Sequence, residues 1–304
     1  MVTKSSQYSK GTTAQVLLFM GKFSQSTIFT THFMAIGYFI VMWVIALWLE
    51  IFEVIPFLFQ NSTQLLAVNL VLFIYAMISV VGNYYCLVTT DTSCETNGAL
   101  NEERDGVFYC QSCARNSPPR AHHCSLCDRC ILGRDHHCYF AGTCIGHANA
   151  RFFVVYDFFV FITSAYVVVI NLIYLHQIIG PFIPLSFEAI CKIVPLLTVF
   201  KLWSGSVTLF HFLVIVVTWL GIMHVLGCSA CFFFQMSLIF SGQTTYEWQH
   251  NIFTYDQGWR KNFLGICGSM WYLWWLFPVF QMQKLASKEE DNFTQYNSKI
   301  SKYI

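Results

Sequence analysis

Residues 110–144 read CQSCARNSPPRAHHCSLCDRCILGRDHHCYFAGTC and contain seven of the thirteen cysteines of the chain and four of its ten histidines. Two Cys-x2-Cys pairs begin at Cys110 and Cys124, and each can present two thiolates to one metal ion. Zn²⁺ takes four Cys or His ligands at such spacings. A disulfide framework is the competing interpretation, but it gives the interspersed histidines no role. The stretch therefore predicts a zinc-binding domain.

One cysteine of this stretch exceeds the number needed for two closed zinc sites. Eight side chains suffice for two sites of four ligands each: Cys110, Cys113, His123, Cys124, Cys127, Cys130, His137 and Cys144. Cys138 is left over, just after Asp135 and His136. An imidazole can take the proton of a thiol, and a carboxylate can orient that imidazole. These three residues are candidates for nucleophile, base and orienting acid. The alternative is that Cys138 is a spare ligand and Asp135 supports the metal ligands.

The complete spacing resembles that of the DHHC-type protein S-acyltransferases, also called palmitoyltransferases. The pattern Cys-x2-Cys-x9-His-Cys-x2-Cys-x2-Cys-x4-Asp-His-His-Cys-x5-Cys-x4-Asn-x3-Phe is matched throughout, ending at Asn149 and Phe153. The resemblance implies two zinc sites that interleave along the chain, one formed by Cys110, Cys113, His123 and Cys130 and the other by Cys124, Cys127, His137 and Cys144. It also implies that Cys138 is the nucleophile, His136 the base and Asp135 the orienting acid.

The resemblance also implies a reaction and its substrates. Cys138 takes a long-chain acyl group, most often palmitoyl in the family, from acyl-CoA and passes it to a cysteine of a substrate protein near the membrane. We expect Phe140 and Phe153 to contact the acyl chain. We expect Arg134 and Arg151 to bind the CoA head. Both zinc ions are expected to be structural, because protein ligands fill their coordination positions.

Two short segments depart from the family pattern. Residues 89–93, Thr-Thr-Asp-Thr-Ser, stand where the family usually has Asp-Pro-Gly. Tyr139 and Phe140 stand where it often has Pro-Trp. The zinc ligands are unaffected by either change, while the acyl-chain preference does not follow from the resemblance.

Two other functional classes fit parts of the sequence. A zinc-bearing membrane scaffold with an inert Cys138 accounts for the metal ligands. A transporter or channel accounts for several membrane spans and for Asp157 within one of them. Neither class requires a free thiol beside an imidazole and a carboxylate, so the acyltransferase interpretation explains more of the residues.

The remainder of the chain is suited to a membrane. Of the 304 residues, 56% are hydrophobic and 11% are charged, whereas about a quarter are charged in soluble domains. The net charge of +1 gives no indication of nucleic-acid binding. Residues 28–49, 65–88, 152–174 and 209–234 are each long and apolar enough for a membrane-spanning helix. We therefore predict an all-α membrane protein with four transmembrane helices and a small cytosolic two-zinc domain, residues 90–151, between helices 2 and 3.

The distribution of positive charge predicts the orientation. Fifteen of the 17 Lys and Arg residues lie on the side of the zinc domain, the N-terminal segment 1–27 and the C-terminal region 241–304. The side that is rich in Lys and Arg is cytosolic. Residues 176–206, which prolines interrupt, are expected to form a lumenal loop that is partly associated with the membrane. By the resemblance, we expect a multi-pass endomembrane protein of the Golgi or endoplasmic reticulum.

The C-terminal region carries a second short motif. Residues 244–247, Thr-Thr-Tyr-Glu, match the Thr-Thr-x-Glu motif of the family, which is expected to contact the zinc domain. The same four residues also fit a capping box that opens a short helix.

Overall fold

The computed structural model describes residues 25–94, 108–181 and 187–277. Most of the predicted N-terminal segment, part of the linker into the zinc domain and the end of the C-terminal region lie outside the described residues. In the described part the structure is mainly helical, with three short β-hairpins between the second and third long helices.

Within the described residues, four helices are long and apolar enough to cross a membrane. The first consists of α1 (Gln25–Leu49), a π-helical turn (Glu50–Val54) and α2 (Ile55–Phe59); the others are α3 (Thr63–Thr89), α4 (Ala150–Ile178) and α7 (Leu209–Ser241). Their apolar spans of 27 to 33 residues exceed the roughly 20 residues that a helix needs to cross the hydrocarbon core. The prediction of four spanning helices with a zinc domain between the second and third is confirmed.

Side-chain caps explain where α3 and α7, two of the long helices, begin. The Ser62 hydroxyl accepts a hydrogen bond from the Leu65 amide at the start of α3. The Thr208 hydroxyl does the same for the His211 amide at the start of α7. α7 ends at Gly242, whose φ of 68° lies in the left-handed region that favours glycine at a helix end.

The first helix continues beyond Leu49, where the sequence analysis places the end of the span because Glu50 follows. Glu50 does not face water: it is fully buried beside Asn171 of α4, which is also fully buried. A carboxyl group inside a membrane bundle avoids lipid by facing other helices. Glu50 therefore lies within the helix bundle. The first helix continues past Glu50 as a π-helical turn, Glu50–Val54.

Two short helices separate α4 from α7: α5 (Phe187–Ile193) and α6 (Pro195–Trp203). Neither is long enough to span a membrane. Phe187 and Trp203 are more than four-fifths exposed. Exposed aromatic side chains suit the membrane–water interface.

The zinc domain consists of three antiparallel hairpins. They pair β1 (Phe108–Cys110) with β2 (Arg115–Ser117), β3 (Ala121–Cys124) with β4 (Arg129–Leu132), and β5 (His136–Cys138) with β6 (Thr143–Ile145). The second and third hairpins touch at Gly146, where a Cβ atom would lie 2.7 Å from the Ile131 Cγ2 atom and 2.8 Å from the Leu132 carbonyl oxygen. Only glycine fits this close approach.

Between the end of α7 and residue 277 the chain forms three short helices: α8 (Thr245–Gln249), α9 (Trp259–Cys267) and α10 (Trp271–Leu276). The Thr-Thr-x-Glu motif opens α8 with a capping box between Thr244 and Glu247. The capping interpretation of this motif is thus correct. The contacts described below show that the motif also touches the zinc domain.

Candidate active site and metal clusters

Strand register brings the metal-binding side chains together in pairs. His123 of β3 lies opposite Cys130 of β4, and His137 of β5 lies opposite Cys144 of β6. Each Cys-x2-Cys turn then adds two thiols. The result is two groups of four donors, in each of which all ligand atoms lie within 4.8 Å of one another: Cys110, Cys113, His123 and Cys130 form cluster 1, and Cys124, Cys127, His137 and Cys144 form cluster 2.

Most donor distances fit tetrahedral zinc, whereas the sulfur atoms of Cys127 and Cys113 lie closer to the Nδ1 atoms of His137 and His123, at 3.2 and 3.3 Å. With Zn–S and Zn–N bonds of ordinary length, neighbouring ligand atoms should be about 3.6–3.8 Å apart. In cluster 2 the Nδ1 atom of His137 lies 3.6 Å from the sulfur atoms of Cys124 and Cys144, and those of Cys127 and Cys144 are 3.6 Å apart. In cluster 1 the sulfur atoms of Cys113 and Cys130 are 3.7 Å apart. Both clusters can hold Zn²⁺ as a closed four-ligand site.

Cys138 belongs to neither cluster. It ends β5 one residue after a ligand of cluster 2, and only 9% of its surface is exposed. The His136 side chain interacts with the Cys138 thiol, and this interaction helps to raise the pKa of His136. On its other side, the Nδ1 atom of His136 lies 2.7 Å from an Asp135 carboxylate oxygen. Consecutive residues along a strand point to opposite faces, so His137 turns toward the metal cluster and His136 toward the thiol.

The Asp135 carboxylate is held by residues that lie more than 90 positions later in the chain. Its Oδ2 atom accepts hydrogen bonds of 2.9 Å from the Gln235 amide of α7 and from the Thr245 hydroxyl of α8. Its Oδ1 atom accepts a hydrogen bond from the Thr245 backbone amide. A carboxylate with this many donors is fixed in position and can in turn fix the His136 ring.

These contacts shift the two pKa values in opposite directions. Burial raises the pKa of Asp135, but the hydrogen bond and charge of His136, together with Thr245 and Gln235, outweigh burial and leave that pKa below its ordinary value. Burial lowers the pKa of His136, but its hydrogen bond to Asp135 and its interaction with the Cys138 thiol outweigh burial and raise that pKa to about 9. The pair therefore stabilises an imidazolium ion beside the thiol.

Comparison with known proteins agrees with the family resemblance of the cysteine-rich motif. A sequence description of the DHHC palmitoyltransferase family matches residues 103–252. The probable palmitoyltransferase ZDHHC24 of Mus musculus is 31% identical over 219 residues, which cover 70% of this chain and 74% of the mouse protein. This chain belongs to the DHHC palmitoyltransferase family. The palmitoyltransferase ZDHHC22 of Rattus norvegicus is 26% identical over 268 residues, which cover 84% of this chain and 95% of the rat protein.

In this member of the DHHC palmitoyltransferase family, a buried ion pair joins the zinc domain to the C-terminal region. The Nε and Nη2 atoms of Arg120 each donate a 2.7 Å hydrogen bond to Glu247, one to each carboxylate oxygen. The Nη2 atom also donates to the Gly242 carbonyl oxygen at 3.0 Å, and the guanidinium group lies 4.3 Å from the centre of the Tyr255 ring. Glu247 is 2% exposed. The pair fixes the start of α8, where Thr245 bonds Asp135.

We expect that breaking this ion pair from either side destabilises the DHHC palmitoyltransferase more than removing both charges. Arg120→Met leaves an uncompensated buried carboxylate, which costs about 3–5 kcal/mol. The double variant Arg120→Met/Glu247→Met should recover part of that loss. The measurement is the thermal unfolding midpoint of the purified protein in detergent. Equal midpoints for the single and double variants would contradict a coupled buried pair.

The two arginines expected to bind the CoA head differ in their burial. Arg151 is only 5% exposed, with its guanidinium group 4.7 Å from the centre of the Phe152 ring. Its place inside the fold does not suit contact with the phosphates of CoA in water. Arg134 is half-buried on the same domain and keeps its place as a candidate.

The two phenylalanines expected at the acyl chain pack against protein rings. Phe153 meets the His136 ring edge to face at a centroid distance of 5.3 Å. Phe140 meets Phe39 of α1 edge to face at 5.1 Å. Phe153 thus packs directly against the imidazole that Asp135 orients.

Sequence reasoning missed several residues that shape this site. Gln235 is a lone amide in an apolar helix, and Arg120 follows two prolines in a turn. Neither has a motif of its own that links it to Asp135 or Glu247. The polarity of Gln235 within the apolar sequence of α7 is a signal that could have marked it as a residue facing other protein groups.

Proposed function

We propose that this chain is a protein S-acyltransferase that carries a long-chain acyl group, palmitoyl above all, on Cys138. One observation supports the proposal most strongly. Eight side chains form the two metal clusters, and the remaining thiol of residues 110–144, Cys138, interacts with the His136 imidazole, which the fixed Asp135 carboxylate orients. A nucleophilic cysteine needs this arrangement, whereas a structural zinc domain does not.

In the first step, the Nε2 atom of His136 takes the proton of the Cys138 thiol. The thiolate attacks the carbonyl carbon of the acyl-CoA thioester, and a bond forms between that carbon and the Cys138 sulfur atom. The bond to the CoA sulfur breaks, and the CoA thiolate receives the proton from His136. Asp135 keeps the imidazole in the tautomer that accepts at Nε2 and stabilises its charged form.

In the second step, a substrate-protein cysteine takes the place of CoA. His136 accepts the proton of the incoming thiol, and the new thiolate attacks the Cys138 thioester. The bond to Cys138 breaks, and the released Cys138 thiolate regains the proton from His136. The two steps return the site to its starting protonation state. Zinc, when bound, supplies cross-links that hold the hairpins in place.

We propose that the acyl chain lies among the helices, beside a small apolar cavity. An apolar cavity of about 60 Å³ lies between α1, α3, α4 and α7, with Trp43, Met77, Val160 and Gly221 among its lining residues. Trp43 contacts Tyr84, whose hydroxyl donates a 2.8 Å hydrogen bond to the Phe140 carbonyl oxygen, two residues after Cys138. We expect a long chain to enlarge this cavity as it enters. Each buried methylene group contributes about 0.8 kcal/mol.

Orientation and location follow from the same proposal. The zinc domain and both termini face the cytosol, where CoA is available and thiols stay reduced. Arg134 then lies where it can meet CoA phosphates. Substrates are proteins with cysteines close to the membrane surface, and the endoplasmic reticulum or Golgi is the proposed membrane.

The test is to locate the acyl group on the wild-type protein. Purified full-length protein is incubated with palmitoyl-CoA, digested without reducing thiols, and examined by mass spectrometry. We expect one added palmitoyl group on the peptide that contains Cys138, and its removal by neutral hydroxylamine. Adducts only at other cysteines, or no adduct in protein that retains two zinc ions, would favour a catalytically silent zinc-bearing scaffold.

A further inference from the structure

A histidine of the first spanning helix touches cluster 2. The Nε2 atom of His32 in α1 lies 3.0 Å from the Nε2 atom of His137. The two ring planes are 25° apart and the ring centroids are separated by 5.1 Å. These values suit a hydrogen bond between two ring nitrogens. His32 and His137 are separated by 105 positions in the sequence. The contact therefore joins the first spanning helix to the zinc domain.

The metal cluster determines the direction of this hydrogen bond. The Nδ1 atom of His137 faces the thiols of Cys124, Cys127 and Cys144, so Nδ1 is the atom that would bind zinc. A neutral imidazole that binds metal through one nitrogen carries its hydrogen on the other. The Nε2–H group of His137 is therefore the donor, and the Nε2 atom of His32 is the acceptor. His32 must then carry its own hydrogen on Nδ1.

Apolar contacts continue the same interface along α1. His32, Ile36, Phe39 and Trp43 recur at helical spacing and thus lie on one face. Gly142, whose φ is 64°, lies next to Ile36: a Cβ atom added to this glycine would be 3.5 Å from the Ile36 side chain. Phe39 packs on Phe140. This face of α1 therefore contacts the turn that directly follows Cys138.

We propose that His32 is a positioning residue for the hairpin that carries Cys138, acting by accepting the second N–H group of the zinc ligand His137. Ligand histidines usually donate that N–H group to a carboxylate, a carbonyl oxygen or water, and loss of such a partner costs 10- to 100-fold in metal affinity. Here the acceptor comes from a membrane helix. The orientation of His137, and with it β5, is thereby tied to the position of α1.

The test measures zinc retention, which does not depend on acyl transfer and so separates this inference from the proposed function. Full-length protein in detergent is mixed with a chromophoric zinc chelator, and the release of its two zinc ions is followed. The wild type should release both slowly. His32→Phe keeps a flat ring but has no acceptor, so we expect one of the two ions to leave at least about tenfold faster. Mass spectrometry of alkylated thiols should assign the faster loss to Cys124, Cys127 and Cys144.

Matched variants separate the hydrogen bond from packing. His32→Gln offers an acceptor oxygen and should retain zinc nearly as the wild type does. Ile36→Ala loosens the same face without removing the acceptor and should also retain it, as should His211→Leu, which removes a histidine at the far end of α7. His32→Leu serves as a second variant without an acceptor should the phenylalanine variant not fold. Wild-type release rates in both variants without an acceptor, or equal release from His32→Gln and His32→Phe, would overturn the proposal.

Discussion

Replacement of Cys138 by serine is expected to abolish the hydroxylamine-labile acyl group on this protein. A serine hydroxyl group holds its proton far more tightly than a thiol, so His136 cannot generate the corresponding nucleophile to a useful extent. Loss of the nucleophile from a unit of cooperating residues typically removes almost all of its catalytic advantage. We expect loading from labelled palmitoyl-CoA to fall by at least about a thousandfold.

The chain offers close controls for this substitution. Cys86 and Cys231 contact the same apolar cluster as Cys138, and neither is in a metal cluster. Cys86→Ser and Cys231→Ser should load as the wild type does. A persistent hydroxylamine-labile label on the Cys138→Ser protein, or its loss in the Cys231→Ser protein, would place the reactive thiol elsewhere.

Loss of one ligand of cluster 2 is expected to unfold the hairpin that carries Cys138. Cys144 is fully buried and faces His137 across the β5–β6 pair. Structural zinc contributes about 10–16 kcal/mol of apparent binding free energy to small domains, which is comparable to the whole stability of an ordinary domain. In Cys144→Ala we therefore expect the zinc content to fall below two ions per chain and proteases to cleave within residues 110–144.

A strong chelator should have the same effect on the wild-type protein. Cys267→Ala is the matched control, because Cys267 is a buried cysteine of α9 outside both clusters. That variant should keep two zinc ions and resist the protease. Two bound zinc ions in the Cys144→Ala protein would show that another side chain can complete cluster 2.

The zinc ligands could be predicted from the sequence because their spacing is local. A Cys-x2-Cys turn and a hairpin of about ten residues bring their donors together with little help from the rest of the fold. Local spacing also distinguishes Cys138 from the zinc ligands. The four spanning helices could be predicted from the sequence as well, because the length of an apolar run indicates a membrane span directly.

The residues that support Asp135 could not be predicted in the same way. Gln235 and Thr245 reach Asp135 across 100 and 110 positions of sequence, and no local pattern encodes such a distance. The first helical span extends to Phe59, beyond residues 28–49, for a related reason. The charge of Glu50 indicates a boundary in the sequence, but the bundle buries this residue beside Asn171. The burial of Arg151 likewise depends on tertiary packing.

The long-range support of Asp135 has a consequence for biosynthesis. A ribosome that has reached residue 144 has already made every zinc ligand, so both clusters can form while the nascent chain is still short. The donor at position 235 is made near the end of the last spanning helix, and the donor at position 245 only after that helix. The carboxylate beside His136 can therefore be fully oriented only after the sequence of all four spanning helices has been synthesised. A chain released early would carry metal and the thiol without the residues that align them.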